Sequence, residues 1–337
     1  MSEIKFNHKM AAHCESGTVT ALLNHGGFEI TEPMLFGMAS GIFFAYFHKM
    51  SNFTFPTFVV RNKPGQMRTN IEKRTGAKFK TATYKDPIKA EKALDLLLEQ
   101  NIPVAVQVDF FYMDYLPAWL RVHNNVHFII VIGKKDSKYL VSDCYYPNIA
   151  EIEAEALRKG RSAGGTMSPN GFLFYLKEAP KKENINFEKE IKKGIKRAGY
   201  YMLKIPIPFL GIKGIQKFAD KIVEWPKFAR DTEHLSHEIM KINVLLEDQG
   251  TGGAGFRFMY ATFLRQASEI LNDPKLLEMS KKMMEIGDGW RNISVFAARI
   301  GKNRDLGPER LKELSEMIKN RAVVEKEFFT ELYQYVK

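Results

Sequence analysis

His13-Cys14-Glu15-Ser16-Gly17-Thr18-Val19-Thr20-Ala21-Leu22-Leu23-Asn24-His25-Gly26-Gly27 reads as a short amphipathic helix with a thiol at its front. Val19, Leu22 and Leu23 fall at helical spacing and make the inward stripe. Gly26-Gly27 is a helix stop. The first turn of a helix leaves N–H groups unpaired and carries the positive end of the macrodipole. A thiol in such a place is favoured as the thiolate, the nucleophilic form. A cysteine nucleophile also needs a histidine base, a group that fixes the base's tautomer, an oxyanion donor and a substrate groove.

His127 and Asp143 answer the first two needs. His127 stands at the mouth of the strand-like run Phe128–Gly133, and Asp143 at the far end of Tyr139–Ser142. The two runs flank a Lys134-Lys135-Asp136-Ser137 turn. In a hairpin the start of one strand lies opposite the end of the other. His127 and Asp143 are therefore expected side by side, with the cysteine helix docked against them. Cys14 is then the nucleophile, His127 the general base and later acid, and Asp143 the orienter. Each residue alone has a plainer reading: a core thiol, a strand-end histidine, a turn aspartate. The three in this order, with a hairpin between base and orienter, favour the triad. Zinc is the rival constellation, from His123 and His127 four apart with His13 and Cys14. However, the zinc-protease pattern wants Glu where Asn124 stands, and the segment runs into a strand. Alternation along the chain sends Cys144 to the face opposite Asp143, as a buried thiol. A Cys14–Cys144 disulfide would need that alternation to break.

The 337 residues suffice for two domains or one large one. Hydrophobic residues make 45% and charged residues 26%, the balance of a soluble globular protein. Two cysteines make no disulfide framework, so a reducing, cytoplasmic setting is expected. Met1 to Lys9 is polar and lacks the apolar core of a signal peptide. The longest apolar run, Met34 to Phe47, is short for a membrane span. A net charge of +11 suits an acidic partner, or is a solvated lysine coat. No arginine-rich tract or nucleic-acid motif accompanies it, so nucleic acid is not an expected partner.

Along the chain, Thr31 caps an expected second helix with Glu32 and Pro33 in its first turn, apolar nearly all round as far as Phe47. Gly37 and Gly41 in it would let another backbone approach. Phe53–Arg61, Lys78–Thr83, Val104–Val108 and Gly171–Leu176 are strand candidates. Gln66–Thr75 and the stretch from Asp86-Pro87 to Glu99 are helical, the latter with Ala90, Ala93, Leu94 and Leu97 inward. Phe110 to Leu120 is rich in aromatics, Tyr112 among them, and Pro117 breaks it. It is either a wall of a ligand groove or a satellite apolar cluster. Pro180–Asn184 is a charged linker, and helical periodicity follows over 186–203, 211–222, 227–248, 254–271, 274–299 and 308–335. The segment Lys204–Trp225 mixes apolar residues with lysines, a pattern of membrane contact or, preferably, of a buried face between domains. Gly250, Gly252, Gly253 and Gly255 precede a helix with Arg257. That is either an anion cradle or a tight turn at a helix crossing. The architecture is α+β followed by helices, cut at residue 180.

Cys14 on its helix with His127 and Asp143 around a hairpin resembles the papain-like fold of bacteriocin-leader (double-glycine) peptidases. His13-Cys14-Glu15-Ser16 through Asn24-His25-Gly26-Gly27, then Leu35-Phe36-Gly37, is more closely similar to the butirosin biosynthesis protein H family. Glu247-Asp248-Gln249-Gly250-Thr251-Gly252-Gly253-Ala254-Gly255-Phe256-Arg257-Phe258-Met259-Tyr260 resembles that family's helical domain. The resemblance implies a papain-like domain over 1–180 and a helical domain over 181–337. It implies a thiol acyltransferase, with a phosphopantetheine thioester on an acidic acyl carrier protein as donor and a small-molecule amine as acceptor. No bound cofactor is implied, and coenzyme A is a second donor class. A cysteine peptidase or amidase on the same triad is the alternative, and a non-catalytic lipid- or peptide-binding protein a further one. Papain-like enzymes place a glutamine oxyanion donor six residues before the nucleophile. His8 stands there, beside the Cys14 backbone N–H as the other donor. Gly252, Gly253, Arg257 and Tyr112 are the expected substrate contacts.

Overall fold

Helix α1 (Cys14–His25) forms where expected, with Val19, Leu22 and Leu23 buried. The computed structural model describes residues 4–48 and 54–336. The His13 ring caps α1 by accepting from the Ser16 amide. The next helix is a correction. α2 (Glu32–Met38) ends early, Ser40 takes φ 56°, and the chain straightens into β1 (Ile42–Phe47). Ile42-Phe43-Phe44-Ala45-Tyr46-Phe47 has the aromatic density of a strand, and β1 pairs antiparallel with β2 (Thr57–Arg61). Phe53, the expected start of that second strand, lies outside the described residues.

The chain continues through α3 (Gln66–Thr75), β3 (Lys78–Ala82), α4 (Pro87–Glu99) and β4 (Val104–Val108). Asp86 caps α4 by accepting from the Ile88 and Lys89 amides. The buried face of α4 is Ala90, Leu94 and Leu98, one residue round from the expected Leu97. A long loop leads to β5 (His127–Lys135) and β6 (Lys138–Ser142). Then come β7 (Ala150–Glu153), α5 (Ala154–Ser162) and β8 (Leu173–Glu178). Both β7 and α5 are short and carry few apolar residues. Six strands form one antiparallel sheet in the order β3-β8-β4-β5-β6-β7. Every residue of β5 from His127 to Gly133 is buried. Since neighbours along a strand face opposite ways, both faces of β5 are covered, and α1 and α4 both pack on it.

The remaining helices are α6 (Phe187–Leu203), α7 (Gly211–Ile222), α8 (Thr232–Asn243), α9 (Arg257–Leu271), α10 (Pro274–Lys302) and α11 (Pro308–Tyr335). Pro274 and Pro308 each sit in a helix's first turn. The helix expected from 227 starts instead at Thr232, capped by Asp231, and closes in a π-helical turn, Val244–Asp248.

The fold comprises an α/β part with antiparallel sheets and a helical C-terminal part, but the expected cut at residue 180 is corrected. One compact unit is Met1–Glu32 with Arg68–Ile185, and the other is Pro33–Met67 with Asn186–Lys337. The physical reason is aromatic burial. Phe36 stacks on Phe256, Phe44 on Trp290, and Phe58 packs on Phe218. The β1–β2 hairpin therefore belongs with the helices, and that unit is not all-helical. The apolar face of α7, with Ile212, Ile215, Phe218 and Ile222, is buried, and Phe218 packs on Phe44, Phe58 and Trp225 of the same unit. At Gly37 the neighbour is the Phe263 ring, 2.0 Å from where a Cβ would lie. The close backbone approach is at Gly194, whose Cβ would stand 2.8 Å from the Gly37 carbonyl oxygen. Among the described residues no helix is long and apolar enough to cross a membrane.

Candidate active site

Cys14 is the first residue of α1, and the segment that leads into it is held by one carboxylate. Glu32 accepts from the Ala12 amide at 2.8 Å, the His13 amide at 3.0 Å and the Ser16 hydroxyl at 2.7 Å. Burial pushes the Glu32 carboxyl above its usual range, against the pull of those bonds. The Ala11 amide also donates to the Cys144 carbonyl at 3.1 Å. Gly17 makes room for this return. A Cβ there would stand 2.5 Å from the Ala11 Cβ.

The hairpin brings His127 and Asp143 together as its register requires. The β5–β6 ladder ends at Ile130↔Ser142, so His127 and Asp143 lie just beyond it. The His127 Nε2 meets Asp143 Oδ2 at 2.8 Å. Asp143 also accepts from the Tyr115 hydroxyl at 2.6 Å and, through Oδ1, from the Tyr145 amide at 2.9 Å. With Nε2 committed, Nδ1 is the ring nitrogen that remains, and Cys14 is among the neighbours that raise the ring's pKa. The Cys14 Sγ in turn donates to the Val126 carbonyl at 3.5 Å. Cys14, His127 and Asp143 are 6%, 2% and 0% exposed.

The charges follow from this packing. Burial alone would push the His127 imidazole down, but the Asp143 carboxylate and its hydrogen bond outweigh it and raise the pKa to about 10. Burial pushes Asp143 up, yet the His127 charge and the bonds from His127, Tyr115 and the Tyr145 amide hold it below the usual carboxylate range. The pair is an imidazolium–carboxylate ion pair at neutral pH. A raised histidine stabilises the fold fully below its unfolded value near 6.5, and the contribution is lost as pH rises through about 10. A lowered aspartate contributes above its unfolded value and is lost as pH falls through its folded one. The Tm gap between the protein and Asp143→Asn should therefore be widest near about pH 6 and narrow by about pH 10. Thermal melts at the two pH values check it. An equal gap at both would mean that the ion pair contributes nothing.

The loop between β4 and β5 is the lining. Phe110 stands edge-on to His127 with centroids 4.8 Å apart. Pro117 breaks the loop as expected, into short turns at Phe110–Tyr112 and Ala118–Leu120. Tyr115 brings the loop's hydroxyl to the triad, whereas the expected contact, Tyr112, packs on Phe111 and His123. His123 pairs with Asp109 at 2.7 Å, a loop-holding contact apart from the His127–Asp143 pair. Trp119 is 80% exposed on this loop.

Other expectations are corrected. Both nitrogens of His8 are engaged, Nδ1 with the Ser142 hydroxyl at 2.8 Å and Nε2 with the Tyr146 carbonyl at 2.9 Å. That leaves no N–H for an oxyanion. The Gly250–Phe256 segment is a tight turn whose glycines, Gly252 and Gly253 included, have positive φ. Its amides serve its own side chains: the Gly253 N–H donates to Thr251 and the Ala254 N–H to Glu247. Arg257 is fully buried, with Nε and Nη2 on Glu325 at 3.0 and 3.1 Å and Nη1 on the Gly255 carbonyl at 2.8 Å. It has no hand free for a phosphate. Cys14 and Cys144 are both free thiols.

Cys14, His127 and Asp143 lie within a span that is itself recognisable. A model of the N-terminal domain of butirosin biosynthesis protein H matches residues 13–144, from the cap of α1 to the residue after Asp143. A second model, a domain of unknown function (DUF4872), matches residues 155–332, more than half the chain. The chain belongs to the DUF4872 domain family, with a butirosin biosynthesis protein H-type N-terminal domain ahead of it. Among solved structures it is similar to a protein described as a C39-like peptidase from Bacillus anthracis. The identity is 11%, the match covers 54% of this chain and 100% of that one, and the TM-score is 0.36. No curated protein matches the chain. For this butirosin biosynthesis protein H-like chain, Cys14, His127 and Asp143 are brought together by the structure. Tyr115, Tyr145 and Glu32 were not singled out in the sequence. Tyr115 stood unmarked among the loop aromatics, and Tyr145, two residues past the orienter, was the nearer signal.

Proposed function

We propose that the protein is a thiol acyltransferase that works through an acyl-enzyme on Cys14. The observation that carries the reading is the hydrogen-bonded His127–Asp143 pair, with the Cys14 sulfur on the carbonyl of Val126, the residue before His127. In the first half-reaction the Cys14 sulfur, its proton passed to His127, bonds to the carbonyl carbon of a thioester. The carbonyl electron pair moves to oxygen, and the Cys14 backbone N–H donates to that oxyanion. As the carbon–oxygen double bond re-forms, the donor's carbon–sulfur bond breaks. His127 delivers the proton to the leaving thiol. In the second half-reaction an amine attacks the acyl-enzyme. His127 takes a proton from the nitrogen and passes it to the Cys14 sulfur as the carbon–sulfur bond breaks.

Transfer is favoured over hydrolysis by the burial of all three residues, which limits water at the acyl-enzyme. A phosphopantetheine thioester on an acidic carrier protein suits the net charge of +11. The exposed Trp119, Leu120 and Val122 on the loop that carries Tyr115 offer apolar surface to an acyl chain. The test is mass spectrometry after incubation with acyl thioesters, on a carrier protein and on coenzyme A, with and without an amine. A Cys14 adduct that is absent in Cys14→Ala and cleared by amine supports the reading. An adduct cleared as fast by water alone makes it a hydrolase. No adduct with any donor makes it a binding protein.

A further inference from the structure

Two donors meet at one oxygen of Asp143. His127 Nε2 and the Tyr115 hydroxyl lie 2.8 and 2.6 Å from the same Oδ2, while Oδ1 takes the Tyr145 amide at 2.9 Å. Asp143 is 0% exposed, so its charge is met by these three donors rather than by bulk water. Tyr115 is held in place from both sides. The Arg121 guanidinium donates to the carbonyls of Asp114 and Leu116, the residues before and after it, each at 2.8 Å. Met113 and Leu116 are buried, and the Tyr115 ring stands edge-on to Tyr146 with centroids 5.4 Å apart. We infer that Tyr115 is a positioning residue for His127: by sharing Asp143 Oδ2 with the imidazole, its hydroxyl sets how hard the carboxylate holds the ring's proton.

The physical reason is competition for one charge. A donor on a carboxylate oxygen stabilises the negative charge and so weakens its pull on a second donor at the same atom. His127 is asked for both of its forms, the cation to protonate a leaving thiol and the neutral ring to take a proton from an amine. For that need the inference rests on the proposed function. Asp143 and its bond already raise the ring to about 10, so the neutral form is the scarce one near neutral pH. Without the Tyr115 hydroxyl it would be scarcer still. The phenol keeps its own proton, because burial and the Asp143 charge push its pKa well above the usual value. The ionisable groups around the pair, besides Tyr115, are Cys14 at the head of α1 with Glu32 near Cys144, Asp114 on the loop, and Cys144 and Tyr145 after β6. His8 is spent on Ser142 and the Tyr146 carbonyl.

The test reads a sign. The His127 ring of the full-length protein is titrated by NMR in three forms: the parent, Tyr115→Phe, and a protein with a ring-fluorinated tyrosine at position 115. Phenylalanine keeps the ring beside Tyr146 and removes the hydroxyl, so the His127 titration should move up by about one pH unit. Fluorine beside the hydroxyl makes a stronger donor of nearly the same shape, so the titration should move down. In Tyr115→Phe the discharge of a Cys14 acyl-enzyme by amine should also slow about tenfold near neutral pH, with acylation affected much less. A titration that fails to rise in Tyr115→Phe, or fails to fall in the fluorinated protein, overturns the inference and leaves Tyr115 as an anchor of the loop. Should Tyr115→Phe not fold, the fluorinated protein decides alone by the direction of its change. Failure of the acyltransferase reading looks different: the titrations move as stated, but no amine discharges the acyl-enzyme.

Discussion

His127→Ala should lower the rate of Cys14 acylation by at least about 10⁴-fold and lower Tm most below about pH 10, where the lost counter-charge adds to the cavity left by the buried ring. The loss is large because one ring does three jobs. In the proposed reaction it presents a cation to the sulfur and protonates the leaving thiol, and its bond to Asp143 keeps that carboxylate paired. Removing it also leaves Asp143 with donors from Tyr115 and the Tyr145 amide alone. Below about pH 10 the fold should therefore weaken as well, since a buried carboxylate loses its counter-charge. Single-turnover acylation at saturating thioester reads the first effect, and melts across pH read the second. A fall below tenfold would remove His127 from the chemistry.

The largest effect on stability is expected in the other unit. Arg257 and Glu325 are both 0% exposed and joined by two hydrogen bonds. The Trp290 indole N–H also donates to Glu325, and the Arg257 guanidinium lies over the Trp290 ring at 5.0 Å. Arg257→Met leaves a buried carboxylate with one neutral donor and should cost about 3–5 kcal/mol, a Tm fall of roughly ten degrees. The double change Arg257→Met with Glu325→Leu removes both charges and should recover a good part of that loss. Thermal or denaturant unfolding of the three variants decides it. A double variant no better than the sum of its singles would show that the charges are not coupled.

Local signals were sufficient for much of the fold. The α1 stripe, the proline-started helices α4, α10 and α11, and the β5–β6 hairpin are set by periodicity, caps and turns within a few residues. The Ile42–Phe47 segment was not legible. A run buried on all sides has no period, and its strand form rests on pairing with Thr57–Arg61. β7 and α5 were invisible because their pattern is short and polar. His8 shows the limit for a site. A histidine's role depends on which partners its nitrogens find, and Ser142 and Tyr146 are more than 130 positions away in the chain.

The sequence by itself singled out Cys14, His127 and Asp143, the residues proposed as nucleophile, base and orienter. Cys14 lies at a helix start and His127 and Asp143 at the two ends of one hairpin, and both facts are local. Tertiary structure alone decided the rest: that Glu32 anchors the approach to Cys14, that Tyr115 and Tyr145 close on Asp143, that Arg257 is a buried ion-pair partner, and that residues 33–67 join the helices. Those contacts join groups distant along the chain, and burial with hydrogen-bond satisfaction, which no local pattern encodes, selects among the partners available.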